Sequence, residues 1–369
     1  MDDLEIQESH RIDSVDFFRG LVLLIVLIDH CAYIAQYTEI LNWTVGGWGF
    51  SNAAEGFVFL SGMSFGWVYS KRIEQVGKYR SALKVIYRTF KTYCAFLVTL
   101  IAIWQIGRYA FEFSTVKRIL DFHLSIEIVF LREQPAFVGV LCLYIIIIPF
   151  QLLLLFFLQR FWWLSFILSS FLFLLASQFP GFNLHTRTGN WIFNPFTWQF
   201  LMFIGVVTGS RMQKGVVYST SSSYRLILAL LVLLLGIFCK KGYLVVGREQ
   251  FEMLHEFLNT RTIIGHYNST PAFGLLRLFH FLALVHLIAA LLSFGVIRRA
   301  ISTFQLLRTC GRNSLPVYCV GVLITYFVGI ACDGVGHSKF FSAIAILDAC
   351  LIQFVVAIAI DKMHSRERV

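Results

Sequence analysis

Charge is what this chain lacks most. Asp, Glu, Lys and Arg make up only 14% of its 369 residues, while 57% are hydrophobic. A soluble domain carries about 25% charged residues, so that class is excluded, and the mean hydropathy of +0.72 points to a membrane protein. Metal-type cysteine spacing is also missing. The eight cysteines (Cys31, Cys94, Cys142, Cys239, Cys310, Cys319, Cys332 and Cys350) form no CxxC or Cys/His pattern and lie in or beside apolar runs. They read as small buried hydrophobes, and no metal site is expected. No nucleic-acid motif accompanies the net charge of +10. In a polytopic protein, excess Lys and Arg mark the cytoplasmic loops instead. No internal repeat, low-complexity tract or soluble second domain is visible, so residues 1–369 read as a single membrane-embedded domain. No cleavable leader is expected, because the first apolar run starts at Phe17 after an acidic stretch and lacks a small-residue cleavage site.

What is present is a series of apolar runs near 20 residues, the length of a membrane-crossing helix. Ten spans are expected, at about 16–38, 50–70, 87–107, 136–158, 161–178, 195–213, 225–243, 271–295, 312–331 and 341–361. The expected fold is therefore all-α, a polytopic helical bundle. With both termini (1–15 and 362–369) in the cytoplasm, 19 Lys and Arg fall inside and 10 outside, which favours that orientation. Two long connections, about 108–135 and 244–270, are too polar to cross. The second contains Gly247 to Leu258, whose pattern is that of a short amphipathic helix, either on a membrane surface or over a cavity.

Within the first span, Arg19 and His30 are eleven residues apart. Eleven helical steps return to within about 20° of the start and climb about 16 Å, so the two share one stripe. A charge near the middle of a lipid-facing helix costs about 2.5–3.5 kcal/mol, which turns such residues towards protein or an aqueous cavity. Counted from the outer ends of their spans, His30, Glu55, Arg277, His280 and Asp348 all lie about 8–14 Å deep. Ionisable groups from four helices at one depth suggest a shared outer chamber. The alternative is that Glu55 with Arg277, and Asp16 with Arg19, simply lock helices together. Histidine titrates near neutrality and is a poor lock. Asp29 points about 100° away from His30, which leaves Glu55 as the better orienter of the imidazole. Gly62 and Gly66 form a GxxxG that permits close helix approach. Ser61 has no base at a useful spacing and reads as a packing or hydrogen-bonding residue. Trp43, Trp48, Trp191 and Trp198 lie on the outer side, as interfacial anchors or as platforms for sugar rings.

Several ordered segments resemble the OpgC family of membrane glucan succinyltransferases and, more distantly, the acyltransferase-3 superfamily. They are Asp16-Phe-Phe-Arg-Gly20 with Asp29-His30, Gly49 to Gly62, Asn194-Pro-Phe-Thr-Trp-Gln199, Leu276-Arg-Leu-Phe-His-Phe-Leu-Ala283 and Cys310-Gly-Arg-Asn-Ser-Leu-Pro-Val-Tyr318. The chain departs from the pattern at Cys31 to Ile34, where a Pro-Gly-Asn-like turn is usual, and at Asn52, where aspartate is commoner. The resemblance implies an acyltransferase-3-like bundle of about ten crossings in the inner membrane. It implies transfer of an acyl group, succinyl favoured, from cytoplasmic acyl-CoA to hydroxyls of a periplasmic or surface glycan. It also implies a catalytic role for His30, with Arg19 completing the superfamily spacing, and places Asp16, Asn313 and Ser314 in matched motifs.

The residues fit that chemistry on their own terms. Coenzyme A is anionic and would prefer the basic inner mouth of Lys84, Arg88 and Lys91, with Arg19 deeper. His30, oriented by Glu55, would act as general base on a sugar hydroxyl, or be transiently acylated. Arg277 would stabilise the thioester oxyanion, with Asp29 and His280 beside the substrate. No permanently bound cofactor is expected; the partners are acyl-CoA, the glycan acceptor and lipid. A proton-coupled transporter using the same polar residues is the competing reading, although its usual repeated halves and broken helices are not visible.

Overall fold

The computed structural model describes residues 2–109, 126–132, 134–179, 181–186, 189–216, 222–257 and 274–366. Helix α1 (Asp2–Ile34) carries the first apolar run and ends four residues before the expected boundary. Gln36 there takes a left-handed φ of 56°, and two single-turn 3-10 segments, Thr38–Asn42 and Val45–Gly47, carry the chain to the next helix.

Helix α2 (Ala53–Tyr109) opens on a capping box. Asn52 Oδ1 accepts from the Ala54 N–H at 3.0 Å, and the Asn52 N–H donates to Glu55 Oε2 at 2.9 Å. Two donors that a helix start would leave unpaired are thus satisfied reciprocally. Gly77, at φ 83° and ψ 169°, breaks α2 into two arms, and the two spans expected at 50–70 and 87–107 fall on opposite sides of that break. Then come α3 (Ile126–Val129), α4 (Gly139–Arg160) and α5 (Trp162–Gln178). A small antiparallel ladder, His185–Thr186 with Gly189–Asn190, pairs Thr186 with Gly189. The chain continues through α6 (Pro195–Gln213), α7 (Ser223–Lys241), α8 (Tyr243–Val246), α9 (Arg248–Phe257), α10 (Leu275–Ser293), α11 (Gly295–Thr303), α12 (Gln305–Arg312), α13 (Ser314–Gly334) and α14 (Lys339–Arg366).

Helix stands at all ten expected positions. Among the described residues, seven helical stretches are long and apolar enough to cross a membrane, one of them the 56-residue Ala53–Arg108. The protein is an all-helical membrane protein. Helix α6 fails the hydropathy criterion for a physical reason: twelve of its nineteen residues are buried against protein, Thr197, Gln199 and Ser210 included. A helix that meets its neighbours on most sides has no need of an apolar surface all round. At the other extreme, α7 turns Leu228, Leu231, Leu234 and Leu235 outward, as a lipid-facing helix does.

Two features hold α6 in place. The expected GxxxG of α2 packs on a second one, Gly205 and Gly209. A Cβ at Gly66 would stand 2.1 Å from the Val206 carbonyl oxygen, and one at Gly209 would stand 1.9 Å from that of Met63. The backbones therefore touch along this seam, and any side chain would force them apart. Between α4, α5 and α6, Gln151 donates to the Gln199 carbonyl at 2.9 Å, while Ser169 and Gln199 exchange bonds of 2.7 and 2.9 Å. Polar bridges of this kind substitute for the missing hydrophobic drive between helices in lipid.

One stretch expected as a loop is helical. Residues 295–312 form α11 and α12, and α12 lies along α1 so closely that a Cβ at Gly20 would stand 1.8 Å from the Leu307 carbonyl oxygen. The short amphipathic helix expected at 247–258 is present as α9. The connection around 110–125, with Lys117 and Arg118, lies outside the described residues, as does 258–273.

Candidate functional site

The structure distributes the expected site residues over three places. The first is where the membrane-crossing part of α1, Asp13–Ile34, begins. Arg19, 9% exposed, donates through Nη1 to Asp16 Oδ1 at 3.3 Å and to the Gly311 carbonyl at 3.2 Å. Through Nη2 it reaches the Leu60 carbonyl at 3.4 Å and Ser64 Oγ. These partners come from α1, α2 and α12, so the guanidinium ties three helices together and its fork is committed to protein acceptors. Gly311 is pressed onto the Asp16 carbonyl, where a Cβ would sit 1.9 Å away. Nearby, Asp13 accepts from Arg308 at 2.5 Å. Asn313 donates to the Thr309 carbonyl and to Asp361, both at 3.1 Å, while its Oδ1 meets His364 Nδ1 at 3.1 Å. Asp16, Arg19 and Asn313 thus act as locks. Ser314 is half-buried at the start of α13.

On the second arm of α2, Lys84 and Lys91 are exposed and Arg88 is half-buried. Spacings of four and three residues put all three on one face. Arg88 is close enough to Arg19 and Tyr144 to act on both electrostatically. Arg88 thus lies near the Arg19 lock, with Lys84 and Lys91 further along the same helix.

The second place gathers Glu55, Arg277 and His280. Glu55 is fully buried, and its carboxylate pairs with the Arg277 guanidinium, itself 2% exposed. Arg277 also lies 5.7 Å from the ring centre of Trp198, within cation–π range. Behind them, Ser51 Oγ bonds His280 Nδ1 at 2.8 Å, and the His280 ring fills the space left by Gly49 and Gly236. His280 Nε2 is buried with no hydrogen-bond partner.

This corrects the single outer chamber expected from depth. Glu55 is engaged by Arg277 and by the Asn52 N–H, so it does not orient His30. Among the described residues, no hydrogen bond, ion pair or ring contact joins His30 to this cluster. Asp348 is exposed on α14 and belongs to neither place. Trp191 and Trp198, 3% and 0% exposed, are walled in and unable to stack on a sugar, whereas Trp43 and Trp48 are exposed, 6.3 Å apart.

The third place is His30 itself. Its ring packs on that of Phe137, with centres 4.5 Å apart, and lines a crevice with Leu23, Val26, Leu27, Tyr318, Gly321, Val322 and Gln353. The crevice lies where α1, α13 and α14 meet, and has about 10 Å³ of room, about enough for one water. Phe137, beside the imidazole, takes a left-handed conformation, φ 71°, which a bulky residue adopts only when its surroundings impose it. Here the Phe137 carbonyl accepts from the Tyr318 hydroxyl at 2.5 Å, and the preceding Ala136 carbonyl accepts from Tyr326 at 3.0 Å. No side chain among the described residues hydrogen-bonds the imidazole. Asp29, on the adjoining face of α1, is within bonding reach of Thr44, and its Oδ1 has no partner.

Sequence reasoning missed Phe137, Tyr318 and Gln353 at this crevice, and Ser51 beside His280. Gln353 had a signal, being a glutamine inside a long apolar run. Asn52-Ala-Ala-Glu55 also had one, the Asn-x-x-Glu pattern of a helix start.

The comparisons with known proteins agree with the residues quoted above. The family described as OpgC protein matches residues 11–365, nearly the whole chain. No curated protein and no solved structure matches it. The chain belongs to the OpgC family.

Proposed function

Taking that membership as the premise, we propose that the protein is a membrane acyltransferase that modifies a glucan. It uses acyl-CoA, succinyl-CoA first, as donor and the hydroxyls of a periplasmic or surface glucan as acceptor. In this reading the whole chain is one acyltransferase-3-like domain of ten crossings in the bacterial inner membrane, with both termini in the cytoplasm. The observation that carries it is His30, an imidazole at the junction of three helices with no hydrogen-bond partner among the described residues.

The chemistry follows from that placement. His30 takes the proton of a sugar hydroxyl as its oxygen attacks the thioester carbonyl. The new C–O bond forms, the C–S bond breaks, and the proton passes to the departing thiolate, giving ester and coenzyme A. General-base help of this kind is worth about 10²–10⁴-fold in rate. Lys84, Arg88 and Lys91 hold the phosphates of coenzyme A, and Asp29 borders the acceptor side. Arg277 and His280 remain with Glu55 and Ser51 in the separate cluster, where they support the helices around the site. The crevice holds about one water, so the acyl group reaches His30 only as α1 separates from α13 and α14.

The test is the purified protein in lipid vesicles with succinyl-CoA or acetyl-CoA and a glucan, read by mass spectrometry of the glucan and release of free thiol. Wild type is expected to give the ester, and His30→Ala to lose about 10²-fold or more at unchanged membrane abundance. Intact acyl-CoA, with glucan crossing the bilayer, would instead make the protein a carrier. Full activity in His30→Ala would remove the imidazole from the reaction.

A further inference from the structure

The crevice beside His30 has eight lining residues, of which His30, Tyr318 and Gln353 carry polar side chains. The Tyr318 hydroxyl is taken, donating to the Phe137 carbonyl at 2.5 Å. Gln353 is different. It is 2% exposed, on the inward side of α14, and its Oε1 is buried with no hydrogen-bond partner. An amide carbonyl left unpaired in a membrane helix is costly, and buried polar groups in lipid normally find a donor. The same crevice contains one group with an N–H to give and no acceptor for it, the imidazole of His30.

We propose that Gln353 is the positioning residue for His30. Its Oε1 accepts from one imidazole nitrogen through the single water that the crevice accommodates. This fixes the tautomer and leaves the other nitrogen free to take the proton of the acceptor hydroxyl. It fills the role that depth along the helices had suggested for Glu55, which the structure commits to Arg277 and the helix cap. A neutral amide also differs from a carboxylate in kind. It orients the ring while favouring the imidazolium far less than a carboxylate would. The inference rests on the acyltransferase reading of His30 given above.

Three variants of the full-length protein in lipid vesicles test it, assayed with succinyl-CoA and a glucan across pH. Gln353→Leu is expected to lower kcat about 10–100-fold, as removal of a partner that holds an imidazole's tautomer does elsewhere, with KM for succinyl-CoA unchanged. Gln353→Glu places a carboxylate against the ring. It favours the imidazolium, so the acidic limb of the kcat profile is expected to move up by about one pH unit. A merely structural role does not move that limb. His30→Ala runs alongside. If it is inactive while Gln353→Leu stays within twofold of wild type, the positioning role is overturned and the reading of His30 survives. If His30→Ala is active, that reading falls first. Should Gln353→Leu fail to accumulate, the nearly isosteric Gln353→Glu decides alone, and an unmoved acidic limb overturns the proposal.

Discussion

Around Glu55, each charged group meets another part of the protein: a carboxylate against a guanidinium, a backbone N–H on the second carboxylate oxygen, a serine on His280. Around His30 the surroundings are apolar, and the groups with something to give or accept, the imidazole and Gln353, are bonded to nothing else described. Glu55 is fully buried and His30 half-buried, and both lie inside membrane-crossing helices. The difference is what a lock and a reactive centre look like in the same medium. The Glu55 carboxylate spends both oxygens within the fold, as a lock does, while His280 beside it and His30 across the bundle each keep a ring nitrogen without a described partner.

The strongest way to break that contrast is to remove one half of the lock. Arg277→Met leaves the Glu55 carboxylate buried and unpaired, and is expected to cost about 3–5 kcal/mol, read as a lower melting temperature in detergent. Adding Glu55→Gln to it should recover much of the loss, since no lone charge then remains. If the double variant folds but transfers no acyl group, the pair also touches substrate. A smaller effect separates the basic mouth from both buried places. Arg88→Ala is expected to raise the apparent KM for acyl-CoA about tenfold, or about 1.4 kcal/mol, with the acceptor KM unchanged; unaltered donor dependence would assign Arg88 to topology. The smallest effect belongs to the exposed pair of Lys339 with Glu39, where the hydrogen bond from Lys339 holds the carboxyl below its ordinary range. Lys339→Ala is expected to leave melting and activity unchanged, because solvent screens such pairs.

Much of the bundle was legible because a chain in lipid must hide its backbone polar groups in helices of nearly fixed length. The Gly62–Gly66 motif likewise announced a close contact, although the matching Gly205–Gly209 spacing on α6 does not by itself say which helix it meets. The site was harder to read. Counting residues from the end of a span gives height in the membrane but not azimuth, so His30 and Glu55 share a level and face different neighbours. Asn52-Ala-Ala-Glu55 carried the information that would have corrected this, since an acidic residue three places after an asparagine is usually bonded to the helix start. Gln353 escaped because attention went to ionisable groups. Helices α11 and α12 escaped because their length and composition suit a loop, and only packing against α1 makes them helical.

The seam between α2 and α6 also decides how the molecule can deform. Where carbonyl oxygens stand about 2 Å from the nearest possible Cβ, two rods can neither slide nor roll without collision, so that flank is stiff. Between α1 and α13, by contrast, a Cβ at Gly321 would meet nothing nearer than Leu27 Cδ1 at 3.8 Å, an ordinary side-chain distance. Since α1 is itself clamped to α12 at Gly20 and Gly311, the seam that can yield is the one with α13 that carries His30, and the girth of a cargo the protein accepts is set by how far that seam opens.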